Sequence, residues 1–157
     1  MTGPDLNGPD LNWHYQRFST LSVDDLYDAL ALRAQVFVVE QACVFQDADG
    51  ADRDSGHLLG RDVRGVLQAY LRVVDPGVKY PEPSIGRVIT SAAARGTGTG
   101  HRLVAEGIAR GRAAWPGRAI RIGAQARLEG FYASHGFVRE GADYIEDGIP
   151  HCEMVLR

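Results

Sequence analysis

Cysteine is scarce in this chain. Cys43 and Cys152 stand far apart and form no metal-binding or redox spacing, which excludes a disulfide scaffold, a zinc cluster and a thioredoxin-like centre. Both are expected to be reduced thiols, as in the cytoplasm. Long apolar runs are missing as well: nothing approaches the roughly 18 residues that span a bilayer. The first residues show no basic segment leading into an apolar one, so no secretory leader is expected. No charge sign dominates, and a formal net charge of −3 argues against nucleic acid as a default partner. Neither does the chain hold a Gly-x-Ser-x-Gly elbow. Ser134 and His135 are adjacent in sequence, which does not build a nucleophile–base pair.

What is present fits a single domain. A length of 157 residues buries a core without staples, and 45% hydrophobic with 24% charged residues is ordinary for a globular chain. The charges are unevenly spread. Residues 1–62 carry eleven acids and four bases, a balance of −7, whereas 63–157 carry nine acids and thirteen bases, a balance of +4. This separation is either a chance fluctuation of surface charge or a sign that one half favours a cationic ligand and the other an anionic one.

Along the chain, residues 1–12 read as a disordered tail broken by Gly and Pro, with the domain over 13–157. His14–Phe18 suits a short strand. Ser22 has the character of an N-cap, with Asp24 and Asp25 in the first turn, and Val23, Leu26, Tyr27, Leu30, Ala34 and Phe37 recur at helical spacing as far as Glu40. Strands are expected over 57–61, 66–74, 85–90 and 119–124, with helices starting near 100 and over 128–134. Final strands flank an Asp147-Gly148 turn. This order is a mixed α/β or α+β domain with one central sheet.

Arg95-Gly-Thr-Gly-Thr-Gly-His101 holds the strongest local signal: a strand, a glycine-rich loop, then a helix start. Glycines let backbone N–H groups approach a ligand, and the helix dipole suits a phosphate. A Walker loop fails, because His101 and Arg102 stand where Lys and a hydroxyl belong. A dinucleotide fingerprint from Gly98 fails at Leu103, where its third glycine should be.

The surviving pattern, Arg95-x-x-Gly98-x-Gly100, resembles the pyrophosphate loop of the GNAT N-acetyltransferase superfamily, which cradles coenzyme A. Gln125 to Phe137 resembles that superfamily's Asn-x-x-Ala-x-x-Phe-Tyr-x-x-x-Gly-Phe segment. Phe131, Tyr132, Gly136 and Phe137 match, Gln125 replaces Asn with the same donor and acceptor groups, and Leu128 replaces Ala. Leu32-Arg-x-x-Val-Phe-Val-Val-Glu-Gln41, Phe45-Gln-Asp-x-Asp-Gly50, His57-Leu-Leu-Gly60, Gly86-Arg-Val-Ile89, Gly123-Ala-Gln125 and Asp147-Gly-Ile-Pro-His151 are similar to the ElaA-like branch.

The resemblance implies a GNAT fold: a central, mostly antiparallel mixed sheet flanked by helices, with strands splayed at the cofactor site. It implies acetyl-CoA as co-substrate, direct acetyl transfer to a primary amine, a small-molecule or peptide acceptor, and no role for a membrane or metal. A homodimer stays open. A different acyl-CoA, or a CoA-binding module without turnover, are the rival readings. Cofactor contacts are implied at Val88, Ile89, Thr90, Arg95, Gly96, Thr97, Gly98, Thr99, Gly100, His101, Gln125 and Tyr132, with Tyr132 also the acid for the leaving thiolate. A free amine has a pKa of about 10.4, so a base is needed. Some relatives carry a Glu on the strand before the loop, but this chain offers Arg87 there. Glu40, His57 and His151 remain as base candidates, each in an ElaA-like segment. Arg33, Phe37 and Arg87 are expected around the acceptor. The acids from Asp47 to Asp54 would draw a cationic amine, whereas arginines in the pocket would favour a carboxylate. A calcium loop starting at Asp47 fails, since its glycine comes early and Leu58 sits where a bidentate Glu belongs.

Overall fold

The computed structural model describes residues 10–157. The expected tail therefore lies largely outside the described residues. Within them, Leu11 already packs against the core and Asn12 opens the first strand.

Strand β1 (Asn12–Arg17) pairs antiparallel with β2 (Ser55–Arg61), which pairs with β3 (Leu67–Val74) and then β4 (Ser84–Thr90). Trp13 lies opposite Gly60 and Arg17 opposite Gly56. The missing Cβ atoms make room for rings: one at Gly60 would meet the Trp13 indole at 2.6 Å, and one at Gly56 would overlap the Tyr15 phenol. β2 and β3 are buried on both faces; β3 is mostly apolar, whereas β2 fills its faces with Leu58 and Leu59 beside His57 and two glycines. A second antiparallel sheet has the order β5 (Ile120–Gln125), β7 (Ile149–Leu156), β6 (Val138–Glu146). Asp147 and Gly148 both have positive φ, as the two-residue turn between β6 and β7 requires.

Helix α1 (Val23–Arg33) starts where Ser22 Oγ accepts the Asp25 N–H at 3.0 Å. The α-helical bonding ends at Arg33, earlier than the spacing suggested. Ala34–Glu40 continues as π-helical turns, with Gln41 N–H donating to Val36 O and Cys43 N–H to Val38 O. The buried face also differs from the expected one. Val23 and Tyr27 are exposed, and the stripe against the sheet is Ala29, Leu32, Arg33, Val36 and Phe37. An arginine at its centre misleads a reading based on apolar spacing alone.

Helix α2 (Thr99–Ala114) covers the opposite sheet face, and α3 (Glu129–Ala133) is a short helix after β5. Gly107 and Gly111 let α2 settle close to the sheet: a Cβ at Gly107 would stand 2.6 Å from Leu71 and one at Gly111 3.1 Å from Ile120. The core follows this layering. Leu71, Val73, Leu103, Val104, Ile120, Ile122 and Met154 fill one cluster, and Ala29, Leu59, Tyr70 and Ile89 fill the other beneath α1.

Candidate active site

β4 and β5 meet at their bases, where Arg121 N–H donates to Pro83 O at 3.0 Å, and no ladder joins them beyond that point. The gap opens into a cleft of about 790 Å³ between Val88, Ile89 and Thr90 on one wall and Ile122, Ala124 and Gln125 on the other. β4 is the edge of its sheet, so backbone groups on its outer side are available to an extended ligand. A bulge precedes them: pairing runs from Tyr70–Ile89 to Arg72–Gly86, and Arg87 adopts φ +50°. That conformation costs a non-glycine residue about 1–2 kcal/mol. It is held by Arg87 bonds to Asp47 Oδ1 at 2.8 Å and Asp47 O at 2.9 Å.

At the mouth, Gly96 and Gly98 have φ +77° and +81°, and Gly98 is the N-cap of α2. The loop is closed by its own hydroxyls: Thr97 Oγ1 donates to Ala94 O, and Thr97 and Thr99 Oγ1 lie 2.8 Å apart. Gly100 has ordinary backbone geometry and faces Phe131. The first-turn N–H groups of α2 have no intrahelical partners, a geometry that suits an anion. His101 Nδ1 lies 3.0 Å from His135 Nε2, and burial together with the neighbouring His101 lowers the His135 pKa to about 4. Arg95 donates to Glu40 Oε2 at 2.5 Å and Thr90 O at 3.4 Å, tying the loop to the π-helical segment.

Deeper in the cleft, the Tyr132 ring is buried edge-on against Phe131 and Phe137. Its hydroxyl has no hydrogen-bond partner among the described residues. Burial raises its pKa well above that of a free phenol, so it stays protonated as a donor. His151 lines the same cleft, 9% exposed. Its Nδ1–H donates to Ile149 O at 2.7 Å, which leaves Nε2 as the basic nitrogen, 3.5 Å from a Glu146 carboxylate oxygen. Gln125, cross-strand from His151, donates to Gln41 Oε1 at 3.3 Å and accepts from Arg127.

Phe37, Glu40, Arg87, Arg95 and the β4 residues Val88–Thr90 therefore surround one cavity with Gln125, Tyr132 and His151. Arg33 and His57 do not line it. Arg33 is fully buried and bonds Asp47 and Asp52 at 2.8 and 2.7 Å. His57, equally buried, donates from Nε2 to Asp52 O at 2.9 Å and accepts the Tyr70 hydroxyl at 2.6 Å. Burial lowers its pKa, and no lone pair remains for an incoming proton. The acidic loop is likewise corrected: Asp47, Asp49 and Asp52 are held by Arg33, Arg72, Arg87 and Lys79 rather than facing an amine.

Residues 57–157 match the family described as the acetyltransferase (GNAT) domain. The chain belongs to the GNAT acetyltransferase family. It is similar to protein ElaA of Escherichia coli, 42% identical over 92% of this chain and 95% of that one, and to a UPF0039 protein of Synechocystis sp., 46% identical over 94% and 96%. The crystal structure of an acyl-CoA N-acyltransferase from Pseudomonas aeruginosa superposes with a TM-score of 0.89 at 39% identity, covering 94% of this chain and all of that one. That of E. coli ElaA superposes with a TM-score of 0.87 at 40% identity, covering 94% and 99%. This GNAT domain is thus an ElaA-like acyltransferase fold. Sequence reasoning passed over several lining residues of its cleft, among them Lys79, Tyr80, Ser84 and Glu146. They lie in or beside segments that read as irregular, and only the fold turns them inward.

Proposed function

We propose that this GNAT protein transfers the acetyl group of acetyl-CoA to a primary amine by direct attack in a ternary complex. The observation that carries the reading is the placement of an unpartnered Tyr132 hydroxyl and the basic Nε2 side of His151 in one cleft, between splayed strands and beside a helix start suited to pyrophosphate. The pyrophosphate sits on the backbone of Gly96–His101, and the pantetheine extends along the free edge of Val88–Thr90. A backbone N–H of that edge polarises the thioester carbonyl as charge develops on its oxygen. The amine, having lost one proton to solvent, attacks the carbonyl carbon. The carbon–sulfur bond breaks, His151 Nε2 takes the second amine proton, and Tyr132 supplies a proton to the departing thiolate. The products are the N-acetylated amine and CoA thiol. Glu40 acts as the anchor of Arg95 rather than as the base, because its carboxylate is already bonded. Two free thiols, Cys43 and Cys152, fit a cytoplasmic setting.

The test is calorimetric titration of acetyl-CoA into the protein and into Gly100→Glu. Gly100 takes a side chain without backbone strain, since its φ is ordinary and the nearest atoms lie at 3.7 Å. Micromolar binding, about −8 kcal/mol, is expected for the parent, weakened at least ~10-fold by the added carboxylate at the helix start. Equal binding by both proteins would place the cofactor elsewhere.

A further inference from the structure

The acceptor end of the cleft is electrically lopsided. Arg33, Arg72, Arg87 and Lys79 form one connected network with Asp47, Asp49 and Asp52. Four cations against three carboxylates leave one positive charge. Arg33 and Arg72 are nearly buried, with side chains 1% and 2% exposed, and Arg87 and Lys79 keep 22% and 42%; of the four, all but Arg33 line the cleft. Excess charge in a largely buried network is unfavourable without a counter-ion. Two polar groups at this wall also lack partners. Arg72 Nε is buried with no acceptor, although Arg72 borders the cleft. Ser84 is 5% exposed, lines the same cavity, and its hydroxyl has no partner among the described residues. Gly86, cross-strand from Arg72, keeps this wall open: the position of a missing Cβ is 4.0 Å from Arg72 Nε.

The facing wall has the opposite sign. Glu146 and Asp147, at the end of β6 and in its turn, border the cleft, and neither is paired with an arginine or lysine among the described residues. The Glu146 carboxylate stands next to His151 Nε2. A ligand that satisfies both walls needs a cation at one end and an anion at the other.

We infer that the acceptor is an amine bearing its own carboxylate, of the amino-acid class. Its amino end approaches His151 and Glu146, and its carboxylate completes the network at Lys79, Ser84 and Arg72. The inference rests on the transferase reading above and settles the direction of substrate charge within it: with the loop aspartates already paired, the cationic wall selects the carboxylate.

The experiment measures thiol release from acetyl-CoA with matched sets of equal chain length: 4-aminobutyrate, 4-aminobutanamide and butylamine, and glycine beside glycinamide. The carboxylates are expected to exceed the amides in kcat/KM by at least ~10-fold. That ratio is expected to shrink towards one in Lys79→Met and to fall in Ser84→Ala. Lys79 is the sole lysine of the chain and is half-exposed, so its replacement leaves the core intact, which a thermal melt verifies. Amides or plain amines turned over as well as or better than the carboxylates would overturn the inference and leave the transferase reading standing. A preference for carboxylates that survives both substitutions would overturn the assigned wall. No thiol release with any amine, together with no binding of acetyl-CoA, would bring down both readings.

Discussion

In the proposed transfer, Tyr132 and His151 divide the proton chemistry between a group that holds its proton and one that can take it. Burial of the Tyr132 ring raises the phenol pKa, so the hydroxyl remains a donor throughout the neutral range. The carbonyl of Ile149 fixes the His151 tautomer and leaves Nε2 free of a hydrogen bond. Tyr132→Phe removes one oxygen from a packed aromatic cluster. Its expected effect is a fall in kcat of about 10²-fold, typical of losing a positioned acid, with little change in KM for acetyl-CoA. Steady-state thiol release checks this, and an unchanged kcat would remove Tyr132 from the chemistry. Both residues were nameable from sequence, Tyr132 from its Phe-Tyr motif and His151 from its Asp-Gly-Ile-Pro-His segment. His57 and Arg33 were nameable for the same sort of reason, yet the fold turns them into the core. Residue type and local pattern do not encode the direction in which a side chain leaves the sheet or helix.

At the scale of elements, the order of strands and helices follows from periodicity and punctuation, and the structure keeps it. The mostly apolar β3, the Ser22 cap and the Asp147-Gly148 turn act locally, so sequence reveals them. The bulge at Arg87 is not local in origin. Arg87 keeps its φ of +50° beside bonds to an aspartate forty residues away in the chain. Glycines inside helices show the same dependence on neighbours. Gly107→Ala places a methyl 2.6 Å from a fully buried Leu71 atom, whereas Gly130→Ala in α3 meets no atom within 4 Å. Overpacking costs about 1–3 kcal/mol and the Gly-to-Ala gain in a helix is up to ~1 kcal/mol. Gly107→Ala is therefore expected to lower the melting temperature and Gly130→Ala to raise it slightly. Melts in which both substitutions act in the same direction would contradict the close α2–sheet contact.

Over the whole molecule, the buried ionic network and the histidines set the pH dependence of stability. Burial lowers the His57 pKa, and His135 falls to about 4, so below the unfolded value of about 6.5 the unfolded chain binds more protons than the folded one. Stability is expected to fall as pH drops through that range. Burial alone would raise the Asp49 and Asp52 pKa values, but hydrogen bonds from Arg72 and Lys79, and from Arg33, outweigh it and hold both carboxylates below 3.8. Their contribution is present above the unfolded carboxylate pKa and is lost as pH falls through the lower folded values, so the decline steepens below about pH 4. Urea unfolding at pH 7.5, 5.5 and 4 checks both stages; equal stability at 7.5 and 5.5 would contradict the neutral, buried His57.

The sequence by itself determined the family, the element order, the glycine loop at the start of α2 and the Phe-Tyr segment, because each rests on contiguous residues whose backbone geometry or spacing is the signal. Only the tertiary structure decided which charges face the cleft. Asp47, Asp49 and Asp52 read as an open acidic loop until β3, β4 and α1 bring Arg72, Arg87 and Arg33 to them. Ion pairing falls off steeply with distance and depends on burial, so it is fixed by the packing of segments far apart in the chain and leaves no trace in their local order.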